Sequence, residues 1–88
     1  MKFQVYADSS HAWAKVHKKT LTKLGIADKI THYSYQRGDF AYLEEDQDAN
    51  TLVEALEARG IKAEFITHTA NKQSRIRNYD SYCYSSNN

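Results

Sequence analysis

The sequence has no proline, only three glycines and a single cysteine in 88 residues. The lack of proline leaves every helix and strand free to run unbroken. With Cys83 alone, no internal disulfide can form and no Cys-x-x-Cys metal site exists. Three glycines cannot build a glycine-rich phosphate loop, and each already stands where a turn or a helix cap would use it. No apolar run approaches the ~18–20 residues of a membrane span, so no membrane partner is expected. The opening Met1-Lys2-Phe3-Gln4-Val5 is too short and polar for a secretory leader. With the lone cysteine, this predicts a reducing, cytoplasmic compartment.

What is present is globular. Hydrophobic residues make up 41% and charged residues 26%, which separates the chain from disordered sequences and allows one modest core. A net charge of +1 hides a segregated layout. Lys15 to Arg37 holds six basic residues and one acidic residue, whereas Asp39 to Glu57 holds seven acidic residues and no basic one. From Arg59 onward the balance is basic again. Two solvated helix faces explain this cheaply; a bipolar partner surface is the sharper reading.

Hydrophobic periodicity orders the elements. Phe3 to Ala7 alternates as a strand. Asp8, Ser9 and Ser10 are N-cap candidates for an amphipathic helix that buries Trp13, Val16, Thr20 or Leu21, and Leu24, and that Gly25 ends. Ile30 to Tyr35 and Phe40 to Glu44 read as a hairpin around Arg37-Gly38-Asp39. Asp46 or Asp48 would cap a second helix with Ala49, Leu52, Val53 and Leu56 inward, stopped at Gly60. Lys62 to Thr67 is the last strand. The halves echo each other: Leu21 precedes Gly25-Ile26 as Leu56 precedes Gly60-Ile61. The expected fold is therefore α+β of order β-α-β-β-α-β, a ferredoxin-like four-stranded antiparallel sheet with two helices on one face. Residues 1–70 would form the domain, 71–84 a C-terminal extension docked on it, and 85–88 a frayed tail.

Period-2 alternation sends Phe3, Val5, Ala41, Leu43 and Phe65 toward the helices. It puts Tyr6, Phe40 and Tyr42 on the opposite face, with Tyr33 and Tyr35 nearby. In such a sheet the first and third strands are neighbours, and the face resembles that of the RNA-recognition module, whose aromatics stack bases. Arg37-Gly38 and Phe40-Ala41-Tyr42-Leu43 approximate its signature, but Asp39 is inserted and Glu45 replaces the final aromatic. One alternative covers the tyrosines with Ile76, Tyr79, Tyr82 and Tyr84; another makes them a protein-binding surface.

No grouping demands a reaction. His11, His17, His32 and His68 lack metal-ligand spacing. The run Glu44-Glu45-Asp46-Gln47-Asp48 suits helix capping better than acid–base work. No catalytic residue, metal or cofactor is expected.

His11-x-Trp13, Leu24-Gly25-Ile26, Tyr33-Ser34-Tyr35-x-x-Gly38, Tyr42-Leu43-Glu44-Glu45-Asp46-x-Asp48-Ala49 and Ser74-x-Ile76-Arg77-x-Tyr79 together resemble a group of small phage and prophage proteins of unknown role. The likeness runs from His11 to about Tyr82. It implies the cytoplasm of a bacterial host and an accessory protein that binds a host or defence protein. The expected binding residues are Tyr6, Tyr33, Tyr35, Phe40, Tyr42, Arg75, Arg77 and Tyr79. The alternative is single-stranded nucleic acid stacked on the sheet aromatics, with Arg75 and Arg77 on phosphates. Monomer and homodimer both stay open.

Overall fold

In the computed structural model, which describes residues 1–84, the chain runs β1 (Lys2–Ala7), β2 (Ala12–His17), α1 (Lys18–Lys23), β3 (Tyr35–Arg37), β4 (Phe40–Glu44), α2 (Asp48–Glu57), β5 (Glu64–Thr69) and β6 (Asp80–Ser81). Short 3-10 turns occupy Ala27–Lys29 and Arg75–Asn78. The fraying expected of residues 85–88 lies outside the described residues. Among the described residues, no helix is long and apolar enough to cross a membrane.

The α+β class holds, but the four-stranded antiparallel ferredoxin-like sheet does not. Among the described residues the sheet has six strands in the order β5-β1-β2-β4-β3-β6. It is mixed: β5 runs parallel to β1, and the other pairs are antiparallel. The departure begins at Ala12. Residues 12–17 form a strand where a helix was expected, because their sequence satisfies both periods. Trp13 and Val16 are three apart, as on a helix, yet Ala12, Ala14 and Val16 also alternate with Trp13, Lys15 and His17. Pairing of β2 to both β1 and β4 selects the period-2 solution, since it satisfies backbone groups on both sides of the strand. Trp13 and Val16 then point to opposite faces.

The expected N-cap at Asp8 has the right chemistry in the wrong element. Asp8 Oδ1 accepts from the N–H groups of Ser10 and His11 at 3.0 and 2.9 Å, as an Asx turn does, and this closes the β1–β2 hairpin. The helix that survives, α1, has six residues, with His17 Nδ1 accepting from Lys19 N–H at 3.1 Å. The strand expected at Ile30 to Tyr35 shrinks to its end. Ile30 turns into the core while Thr31 and Ser34 bind Asp48. The last strand starts later than expected, at Glu64.

Both helix stops follow the reading. Gly25 and Gly60 have φ of 71° and 73°. Ile26 N–H donates to Leu21 C=O and Ile61 N–H to Leu56 C=O, at 3.0 and 2.9 Å. These are paired Schellman caps, which need a left-handed residue.

The core lies between the helices and one sheet face. Phe3, Ala14, Val16, Ala41 and Leu43 from the sheet meet Leu21, Leu52 and Leu56 from the helices. Tyr82 joins this side rather than the opposite face, donating its hydroxyl to Ala27 C=O at 2.6 Å. Asp46 or Asp48 was expected to cap α2; neither side chain does, and the Asp48 carboxylate is fully buried and accepts from Thr31 N–H, Thr31 Oγ1 and Ser34 Oγ. Ser34 Oγ in turn accepts from Glu44 N–H at 2.9 Å. Buried acceptors of this kind are costly unless satisfied, so this network pins the 30–34 loop to α2 and β4.

Leu52 is fully buried at the centre of this core. Leu52→Ala is expected to lower unfolding free energy by about 2–5 kcal/mol, a large share of the roughly 5–15 kcal/mol of a typical domain. Urea denaturation followed by Trp13 fluorescence reads this directly.

Candidate functional site

The sheet face away from the helices carries Gln4 and Tyr6 from β1, Trp13, Lys15 and His17 from β2, Phe40 and Tyr42 from β4, and Tyr35 and Arg37 from β3. Because β2 stands between β1 and β4, Tyr6 does not adjoin β4 as expected. It sits across from Trp13 in register, and from His68 on β5. The Tyr6 and His68 rings stack at 5.4 Å and 21°, and His68 Nε2 lies 2.6 Å from Gln4 Oε1.

The C-terminal arm crosses this face. Ile76, on the Arg75–Asn78 turn, is 3% exposed and packs against Trp13 and Tyr42, with Tyr6, Tyr35, Phe40 and Tyr79 around them. Tyr79 lies 5.1 Å from Tyr42, and burial pushes the Tyr42 hydroxyl up from its ordinary pKa. Trp13 meets Tyr35 edge-on at 6.1 Å. Past Tyr79 the chain pairs with β3 as β6 and turns under the sheet at Tyr82, so the arm clasps the β3 edge from both faces.

Asp8 holds the arm down. Its carboxylate is 1% exposed, and it accepts from Arg77 Nε at 2.8 Å, Arg77 Nη2 at 3.1 Å and Ser74 N–H at 3.1 Å, besides the two hairpin donors. The Arg77 guanidinium, then the N–H groups of Ser74, Ser10 and His11, hold this carboxyl far below its ordinary pKa, against the opposing effect of burial. Arg77 also lies 5.3 Å from the Trp13 ring.

The arm divides the face into two grooves. One, of about 660 Å³, runs between β1, β5 and the arm. Lys15, His68, Lys72 and Arg75 line it with Tyr6, Tyr42 and Tyr79, and no carboxylate does so among the described residues. The other, of about 320 Å³, is lined by Trp13, Tyr35 and Arg77 and by Glu44 and Asp46.

The expected binding residues therefore separate. Tyr6, Tyr35, Phe40, Tyr42 and Tyr79 gather around Ile76. Tyr42 is only 8% exposed, beneath the arm, and Phe40 is half-buried between His17 and the Lys15 ammonium. Tyr33 lies off the sheet, exposed and 4.5 Å from His32. Arg75 is exposed on the larger groove, whereas Arg77 is committed to Asp8. Sequence reasoning missed Lys15, His68 and Lys72. Lys15 had been set on a helix, and only the β1–β5 register brings His68 onto Tyr6. Among the described residues, no group of histidine, cysteine or carboxylate side chains could hold a metal ion.

Two measurements probe the arm. Ile76→Ala is expected to cost about 2–4 kcal/mol, to shift Trp13 emission to the red and to speed amide exchange from Lys72 to Tyr79. For Asp8 the folded pKa is depressed below an unfolded value near 3.8. Its stabilisation is thus complete above that value and is lost as pH falls below it, because only the unfolded chain takes up the proton. Melting temperatures of the wild type and Asp8→Asn should differ most near neutrality and converge below about pH 4, with about one proton fewer bound on unfolding by the variant. No family model, no curated protein and no solved structure matches the chain.

Proposed function

We propose that the protein works by binding a protein partner, without chemistry of its own, and that β5 is where the partner docks. The setting is the one implied by the likeness to small phage proteins: a host or defence protein is engaged by an accessory protein.

The observation that carries this reading is the β5 edge of the sheet, which pairs only with β1 among the described residues. Every residue of β5 is exposed, including Phe65 at 40% and Ile66 at 42%. Glu64 N–H donates to Met1 C=O and Ala70 N–H to Ala7 C=O, at 2.8 and 2.9 Å. Alternation along the parallel ladder therefore turns the backbone groups of Phe65, Thr67 and Thr69 outward. The opposite edge, β6, has two residues and offers little to pair with. Sheets usually blunt long apolar edges with charge, proline or cover, and β5 has none of these between Phe65 and Thr69. Strand addition uses such an edge: the backbone supplies affinity and alternate side chains supply specificity. On the tyrosine-rich face, Trp13 and Tyr42 are already occupied by Ile76, and Tyr33, off the sheet, is an exposed ring on the smaller groove.

Thr67→Pro tests the mode, because it removes an outward N–H at an edge position where proline is tolerated. Affinity capture from bacterial lysate is expected to recover a partner with the wild type and to lose at least tenfold of it with Thr67→Pro and with Ile66→Lys. Circular dichroism of both variants should stay native. Equal recovery by folded variants, or no reproducible partner with the wild type, would refute the reading.

A further inference from the structure

We propose that the larger groove is a binding site for a nucleobase joined to phosphate, independently of any partner at β5. Two features of the groove coincide. Its lining includes two aromatic rings, Tyr6 and His68, stacked on one another, so that a base can extend the stack from an outer ring face, and His68 is tethered by Gln4 at 2.6 Å. A planar base gains stacking energy on such a surface without sequence readout, about 1–3 kcal/mol per base in known single-strand binders. The lining also carries the cations Lys15, Lys72 and Arg75, with no carboxylate lining the groove among the described residues. Tyr79, on the arm, lines the same groove.

The charge pattern is selective. The smaller groove, on the other side of the same arm, has Glu44 and Asp46 in its lining and would repel phosphate. Arg77, the nearest cation to that side, has its fork occupied by Asp8. Arg75, two residues earlier, faces the larger groove. The arm thus sorts its two arginines, Arg77 tied to Asp8 and Arg75 without a side-chain partner among the described residues. A volume of about 660 Å³ lies within the usual range of small-ligand sites, roughly 300–1,000 Å³.

The shared chemistry, a base plus a phosphate, is offered both by a free nucleotide and by a single strand. A short fluorescein-labelled oligothymidylate, read by anisotropy, and thymidine monophosphate, read by calorimetry, separate the two sources. Saturable binding of the oligomer alone assigns a strand site, and binding of the monophosphate with similar affinity assigns a free-nucleotide site. Either supports the proposal. With Lys72 and Arg75 on phosphates, oligomer affinity should fall about 7-fold between roughly 50 and 200 mM salt. Lys72→Glu with Arg75→Glu should weaken either ligand at least tenfold, and Tyr6→Leu should weaken it several-fold. Both variants should keep wild-type circular dichroism and tryptophan emission. Lys19→Glu with Lys23→Glu, exposed on α1 away from the groove, should leave affinity within twofold. The proposal falls if neither ligand binds at low salt, if the α1 pair weakens binding as much as the groove pair, or if Tyr6→Leu binds like the wild type.

Discussion

Asp8 joins the first turn of the chain to its C-terminal arm: one buried carboxylate closes the β1–β2 hairpin and also grips Ser74 and Arg77. A buried charge is tolerated only when its lone pairs are filled, and five donors fill these. With that carboxylate satisfied, the arm is held where Ile76 covers Trp13 and Tyr42. A sheet face that would otherwise expose a broad aromatic surface becomes one ridge with a groove on either side.

The ridge makes the two grooves chemically different. Arg77 is drawn into the tie and away from solvent chemistry, and the acidic end of β4 falls on its side. Lys15, Lys72 and Arg75 fall on the other side, next to β1 and β5. The β3 margin is sealed, since β6 pairs with it and Tyr82 anchors beneath it. On the opposite margin β5 pairs only with β1 among the described residues, and the cationic groove opens beside it.

Several features could be read directly from residues because they depend on neighbours in the chain. The caps at Gly25 and Gly60, the inward parity of Phe3, Leu43 and Leu52, and the hairpin at Gly38-Asp39 are of this kind. Others were readable in chemistry but not in place. Asp8 does bind the next N–H groups, but an Asx turn and a helix N-cap make the same local bonds. Asp48 does stand at the start of α2, but its carboxylate turns inward to Thr31 and Ser34 rather than back to its own helix.

The sequence by itself determined a small α+β domain, its two glycine-terminated helices and an aromatic face on the sheet, since propensity, capping and alternation act over a few residues. Only the tertiary structure decided that Ala12 to His17 is a strand, because its spacing fits both periods and the pairing with β1 and β4 breaks the tie. Strand order, the parallel β1–β5 register that sets His68 on Tyr6, and the route of the arm over the sheet were likewise beyond local reading. The β1–β5 register and the route of the arm rest on contacts between residues more than sixty positions apart, as the tie of Asp8 to Arg77 does, and the strand order also needs β2 to pair with β4 more than twenty positions on. No local pattern encodes such a partner; the closing of the whole chain selects it.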